Sequence, residues 1–267
     1  MIEKNGKFVR ILECDKLFVV GDIHGDLEVF EKIKNVFKKE LEKDSKVCLV
    51  FLGDYADRGD FGLEVIEGLK ELIREYRENV IALKGNHEDY DDEGNPNFRP
   101  CDLKYEVVSK RGVWYDYFKE QLQPFFNSLF IAAKYNSFLF VHGGISSKIK
   151  SEESLAYPDK KIEEDVLWSD PFEGYGEYPN PRGAGVLFGK DITDKVLNSL
   201  SVDKLIRSHQ PQKAMDGIYE EHDGKVLTIN STRVYGGKPI ILEISNDKIK
   251  AKRILWILPF QILLILA

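Results

Sequence analysis

Six residues of metal-binding type stand at comparable places along this chain. They are Asp22 and His24 in GDIHGD, Asp54 in GDYADRG, Asn86 in GNHE, His142 in VHGG and His209 in SHQ. Each motif follows a short apolar run, such as LFVV before Gly21, LVFL before Gly53 or FLFV before His142. Imidazole nitrogens mixed with carboxylate and amide oxygens suit Mn, Fe or Zn better than the all-oxygen cages of Mg or Ca. Six donors are enough for two divalent ions that share a carboxylate and sit about 3.5–4 Å apart. Asp54, on the central one of the first three runs, is the natural bridge. Asp22 and His24 then complete one ion, and Asn86, His142 and His209 the other. A lone histidine is usually structural, but four of the five here stand at run ends or beside them. Only His222, in EEHDGK, reads as an ordinary turn residue.

His87 follows the ligand Asn86 directly. Adjacent side chains point differently, so His87 is placed to donate a proton to a leaving group instead of binding the same ion. That role needs a carboxylate on its other ring nitrogen, and Asp57 is the candidate. Arg58 and Arg182 have the planar forks that match phosphate oxygens.

The elements that must position these residues are legible from periodicity. Apolar runs at 17–20, 47–52 and 80–83 read as strands buried on both faces. Between them, Leu27, Phe30, Ile33, Val36, Phe37 and Leu41 mark a helix over 27–43, and Leu63, Ile66, Leu69, Leu72 and Ile73 a second to about residue 78. This β-α-β-α-β order implies parallel strands joined by right-handed crossovers. Open α/β sheets bind their ligands at the carboxyl ends of such strands. Residues 89–100 form a loop whose acids, at 89–93, would repel polyanions if they flank the cleft. Helical material follows over 103–129, then a hairpin of 130–135 and 138–142. Residues 157–189 read as irregular, and 196–200 as a short helix. Strands at 204–208, 226–230 and 240–244 are assigned to a second, mixed sheet packed on the first. Residues 1–16 are a polar lead-in, a short helix or an edge strand.

Length and charge fit a catalytic domain. The 267 residues can bury one large core or at most two. A net charge of −7 argues against non-specific nucleic-acid binding. Cys14, Cys48 and Cys101 show neither zinc spacing nor a disulfide framework, which favours a reducing cytoplasm. No signal peptide is evident at the N-terminus. Abundant Lys and Glu with few Met and Cys hint at a heat-adapted source. The final stretch, 254–267, reads ILWILPFQILLILA and falls short of the roughly 20 apolar residues a bilayer span needs. A docked terminal segment or a reading-frame artefact is favoured there over contact with a membrane or another copy. The division is thus a catalytic domain at 1–253 and an apolar tail at 254–267.

Taken together, GDIHGD, GDYADRG, GNHE, HGG and SHQ resemble, in order, the motifs of PPP-type serine/threonine protein phosphatases within the calcineurin-like metallophosphoesterases. LWSDP at 167–171, PRGAGVLFG at 181–189, LFIAA at 129–133 and STRVYGG at 231–237 extend the resemblance over about 17–244. It implies an α/β fold, a four-layer α-β-β-α sandwich of two mixed sheets with the ions between them. The family's six ligands fall on the six residues above, its His–Asp pair on His87 and Asp57, its phosphate arginines on Arg58 and Arg182, and a tyrosine near the phosphate on Tyr235. The implied reaction is hydrolysis of phosphoserine and phosphothreonine in proteins, by in-line attack of a water bridging the ions, with no phosphoenzyme. Phosphoproteins are the implied partners. The chain departs from eukaryotic members at Asp26, at Gly236 where many carry Cys, and in the acidic loop after His87. Two other readings stand beside this one: a dinucleoside-polyphosphate hydrolase of the same superfamily, and a non-catalytic phosphoprotein-binding module.

Overall fold

Alternation in the strand Lys16–Val20 sets the layering. Leu17 and Val19 pack to one side, Phe18 and Val20 to the other, and all four are buried. A strand without a wet face needs a layer on each side of it. In the computed structural model, which describes residues 2–254, those layers are helices on one face and a second sheet on the other.

The first sheet has five strands in the order Lys248–Arg253, Ile240–Ser245, Lys16–Val20, Val47–Phe51 and Val80–Ala82. The last three run parallel, as the crossover pattern requires. The helices Leu27–Leu41 and Gly62–Glu75 close the crossovers and press Val29, Phe30, Ile33, Leu63, Ile66 and Leu69 onto Phe18, Leu49 and Phe51. Asp26 starts the first of these helices by accepting from the Val29 amide at 3.3 Å.

The second sheet has seven strands: Ile2–Asn5, Phe8–Ile11, Ala132–Tyr135, Phe138–Val141, Lys204–Arg207, Val226–Ile229 and Ile218–Glu221. Val9, Ala133, Phe140, Ile206 and Leu227 face the first sheet across a shared apolar layer. Its outer face is covered by the helices Glu152–Ala156, Lys160–Trp168 and Lys190–Ser199, through Leu155, Val166 and Val196. The four-layer α-β-β-α sandwich with two mixed sheets is therefore present.

Several local expectations change. Residues 240–244 do form a strand, but it lies antiparallel beside Lys16–Val20 in the first sheet and not in the second. Of the two readings of the lead-in the edge strand holds, as a β-hairpin at the edge of the second sheet. Residues 157–189 are irregular only in part. Asp159 accepts from the Lys161 and Ile162 amides to start the helix Lys160–Trp168, and a small three-stranded sheet follows. The short helix begins at Lys190, six residues earlier than the apolar spacing indicates. The helical stretch after 103 breaks at Gly112, whose φ of 99° a side chain would resist. Except for Ile254, the apolar tail at 254–267 lies outside the described residues. Among the described residues no helix is long and apolar enough to cross a membrane.

Candidate active site

The candidate residues leave their strands through abrupt turns. His24, Asp54, Asp57, Arg58 and His209 all adopt left-handed backbone, with φ of 49°, 55°, 66°, 72° and 67°. Non-glycine residues avoid that region, and such strain collects where a side chain must be aimed. Close backbone approach does the rest. A Cβ on Gly85 would lie 2.2 Å from Asp54 Oδ1 and 2.4 Å from its amide nitrogen, so the two loops interlock only with glycine there.

Asp22, His24, Asp54, Asn86, His142 and His209 converge between the carboxyl ends of the two sheets. His24 Nδ1 meets the Ala56 carbonyl at 3.0 Å, which assigns the proton to that nitrogen and turns a bare Nε2 toward Asp54 Oδ2 (3.5 Å) and Asp22 Oδ2 (3.8 Å). His142 is arranged likewise. Its Nδ1 donates to the Leu52 carbonyl at 3.0 Å, and Nε2 lies 3.0 Å from Asn86 Oδ1, 3.1 Å from His209 Nδ1 and 3.4 Å from Asp54 Oδ1. Asp22 Oδ1 accepts from the Ser208 hydroxyl and the His209 amide, whereas Oδ2 is buried with no hydrogen-bond partner.

Burial lowers the His24 imidazole to about 3 and holds His142 and His209 well below the usual range. All three are thus neutral, the form that ligates metal. Burial and the neighbouring Asp22 carboxylate raise Asp54 well above the usual range. Lone pairs crowded together without donors are costly to bury unless a cation joins them. The unpartnered Asp22 oxygen and the bare imidazole nitrogens therefore fit divalent metal ions. Ligand atoms of Asp54, His142 and His209 fall within 4.8 Å of one another, as do those of His24, Asp54 and His87.

His87 differs from the other histidines. Its Nδ1 lies 2.7 Å from Asp57 Oδ2, and Asp57 Oδ1 accepts from the Leu103 amide at 2.7 Å. Both side chains are buried. The ring is gripped between Phe98 and His24, with centroids 4.4 and 4.9 Å away. Arg58, Arg182, His209, Tyr235 and residues 210–213 line one cleft of about 380 Å³. Arg58 is steadied by its amide on Asp102 and its side chain on the Arg99 carbonyl, and Arg182 Nε by Asp170 at 2.7 Å. The Tyr235 ring stands 5.5 Å from His24, and burial pushes its phenol up to about 12. Each candidate thus lies in or beside this one site.

Other residues here escaped the sequence reading. Glu88 is buried and accepts backbone amides from Asp54, Tyr55 and Gly85, each at 2.9 Å, so one carboxylate fixes both interlocked loops. Its position in GNHE was the available signal. Ser208 and Asp170 likewise lie in quoted motifs without an assigned role. His222 does sit in a turn, with φ of 52°, but it is buried and bonded to Thr193 and the Phe172 carbonyl. The acids of 89–93 do not line the cleft; Asp91 holds Asn95, and Asp92 holds Gln123.

The family model that matches this chain is that of the calcineurin-like phosphoesterases, over residues 16–213. Among curated relatives, the chain is 34% identical to the serine/threonine-protein phosphatase 4 catalytic subunit of Kluyveromyces lactis over 253 residues, 87% of this chain and 75% of that protein. It is also 34% identical over 221 residues to a serine/threonine-protein phosphatase of Caenorhabditis elegans, covering 78% of this chain but only 45% of that longer protein. Among solved structures, a Saccharomyces cerevisiae protein serine/threonine phosphatase with similarity to human phosphatase PP5 superposes with a TM-score of 0.74 at 26% identity. That match covers 93% of this chain and 84% of the other.

Proposed function

We propose that this chain, which belongs to the calcineurin-like phosphoesterases, removes phosphate from phosphoserine and phosphothreonine in proteins. The observation that carries the reading is the buried His87–Asp57 pair, set beside the converging metal-type residues and next to a cleft lined by two arginines. An alkoxide leaving from serine or threonine is strongly basic and needs a proton. A nucleotide phosphate leaves without one. The pair therefore speaks for a protein phosphatase over a dinucleoside-polyphosphate hydrolase.

The roles follow from position. Asp22, His24 and Asp54 would hold one divalent ion, and Asp54, Asn86, His142 and His209 the second. His87 also comes near the first group, but its Nδ1 is committed to Asp57, while Asp22 Oδ2 lacks a partner. Bound, the ions supply Lewis acidity, which lowers the pKa of water and offsets charge on phosphoryl oxygens. Mn is the metal we favour for this mixed donor set, with Fe and Zn as substitutes. Arg58, Arg182 and Tyr235 orient the phosphate, and the guanidinium forks stabilise charge as it builds on the equatorial oxygens. His87 Nε2 delivers the proton to the leaving oxygen, and Asp57 keeps the proton-bearing Nδ1 fixed and stabilises the cationic ring.

Residues 1–253 form the catalytic unit in this reading, and the free thiols of Cys14, Cys48 and Cys101 agree with a reducing cytoplasm. The test is turnover by metal-stripped protein before and after Mn is added, on a phosphothreonine peptide and on diadenosine tetraphosphate. Metal-dependent turnover of the peptide, at the higher kcat/KM, is expected. A dinucleotide that proves the better substrate would overturn the reading.

A further inference from the structure

Arg207 belongs to none of the roles above, yet it is fully buried directly behind the cleft. Burying a guanidinium is costly unless its donors are met, and here they are met in a directed way. Nε donates to the Gly143 carbonyl, beside His142. One terminal nitrogen donates to Gln210 Oε1 at 2.6 Å and Thr228 Oγ1 at 3.3 Å. The other reaches Asp170 Oδ1 at 3.0 Å and the Ser169 carbonyl at 3.4 Å. Asp170 in turn accepts from Arg182 Nε at 2.7 Å and Asn180 Nδ2 at 3.1 Å through its second oxygen. Two of the side chains that face the cleft, Gln210 and Arg182, thus hang from one buried cation.

The direction of these bonds matters. Because Arg207 has only donors, it must take the oxygen of the Gln210 amide, which leaves the NH₂ end for the cleft. Because Asp170 holds Arg182 at Nε, the two terminal nitrogens of Arg182 remain for a ligand. Both groups then offer hydrogen-bond donors toward the same space, the arrangement a phosphoryl group or a neighbouring carbonyl of its substrate would meet.

We propose that Arg207 is a positioning residue, which aims the Gln210 amide and, through Asp170, the Arg182 guanidinium at the phosphate-bearing part of the substrate. The inference rests on the phosphatase reading above, but its test does not depend on turnover. Metal-loaded wild type, Arg207→Lys, Arg182→Ala with Gln210→Ala, and the triple variant are compared. The readouts are metal content, calorimetric affinity for orthophosphate, and kcat and KM for p-nitrophenyl phosphate. Lysine keeps the charge but cannot make the fork. With metal content full, Arg207→Lys is expected to weaken orthophosphate about tenfold and raise KM by a similar factor, the effect of one charge-assisted bond, with a smaller change in kcat. In the background lacking both cleft side chains, the same substitution should add less than about threefold, because its targets are gone. A merely structural arginine would give equal penalties in both backgrounds, and that result overturns the proposal. So does unchanged phosphate affinity in a folded, metal-full Arg207→Lys protein. If Arg207→Lys does not fold, Asp170→Asn takes its place, and an Asp170→Asn protein with unchanged affinity counts against the proposal in the same way. If no substrate is turned over yet orthophosphate affinity follows the expected pattern, the phosphatase reading fails alone.

Discussion

Replacing Asp57 by Asn isolates the proton-delivery step, because the change keeps the shape and removes the charge. The Asp57 carboxylate is held from two sides, by the Leu103 amide and by His87 Nδ1, both at 2.7 Å. The asparagine oxygen can keep one of these donors but not both. If it keeps Leu103, its NH₂ faces the His87 N–H, and the ring must change tautomer or turn. A hydrogen bond to a charged group is worth about 1.5–3 kcal/mol, and each 1.36 kcal/mol is about tenfold in rate. If the bond is fully expressed as His87 becomes cationic, kcat falls about 10- to 150-fold. His87→Asn, which removes the donor itself, should cost about 10²–10⁴. The assay is kcat for aryl phosphates of graded leaving-group basicity, with bound metal measured on the same samples. Both losses should shrink as the leaving group improves, since a good one departs unprotonated. Equal losses along the series with full metal content, or a larger loss from Asp57→Asn than from His87→Asn, would refute the reasoning.

Asp54→Asn should lower metal content and rate together, because Asp54 is common to both candidate ligand groups; a fully loaded, fully active variant would exclude the bridge. Glu88→Gln should destabilise the protein by about 3 kcal/mol, because an amide NH₂ must now face one of three converging backbone N–H groups; denaturant titration measures it. The chelated protein should lose stability as pH falls from about 6.5 to 5. In that window His24, His142 and His209 take up protons only when unfolded, since burial lowers their folded pKa values. Burial raises Asp54 well above the carboxylate range and Glu88 to about 6, so the fold holds protons on these two that the unfolded chain releases, which acts in the opposite sense. With three histidines against two carboxyls the unfolded chain binds the more protons as the pH falls, so stability falls with it, and a flat midpoint over that range would contradict it. Removing 255–267 should leave turnover intact, since every candidate site residue lies at or before Tyr235; a folded but inactive truncation would show otherwise.

The three parallel strands of the first sheet and the helices between them were readable because both faces of those strands are buried and the helical spacing is regular, whereas Lys248–Arg253, a largely exposed edge strand of the same sheet, carries no such signal. The same apolar signal in 240–244 identified a strand but not its sheet, since pairing with Lys16–Val20 is a contact across more than 200 residues that no local pattern records. The helix Lys160–Trp168 was hidden by its charges, as only Ile162, Val166 and Leu167 of its apolar residues are buried. In the site, residue type marked out the candidates that the fold brings together: histidine and aspartate after a buried strand have few structural uses. Glu88, Asp170 and Arg207 act through other protein groups. Their type is equally at home in a surface ion pair, and only burial and geometry separate the two cases.

The candidate ligands are divided unequally between the sheets. Asp22, His24, Asp54 and Asn86 follow strands of the first sheet, whereas His142 and His209 follow strands of the second. A ribosome delivers the first four well before His209, the last ligand in the chain. During synthesis the early residues can offer an ion only a partial, oxygen-rich grip, and the grip tightens once the later strands dock. Tight metal capture is therefore a timestamp. On the proposed ligand set it would mark a chain whose two halves have closed on each other, and an ion held there would clasp them like a rivet driven last.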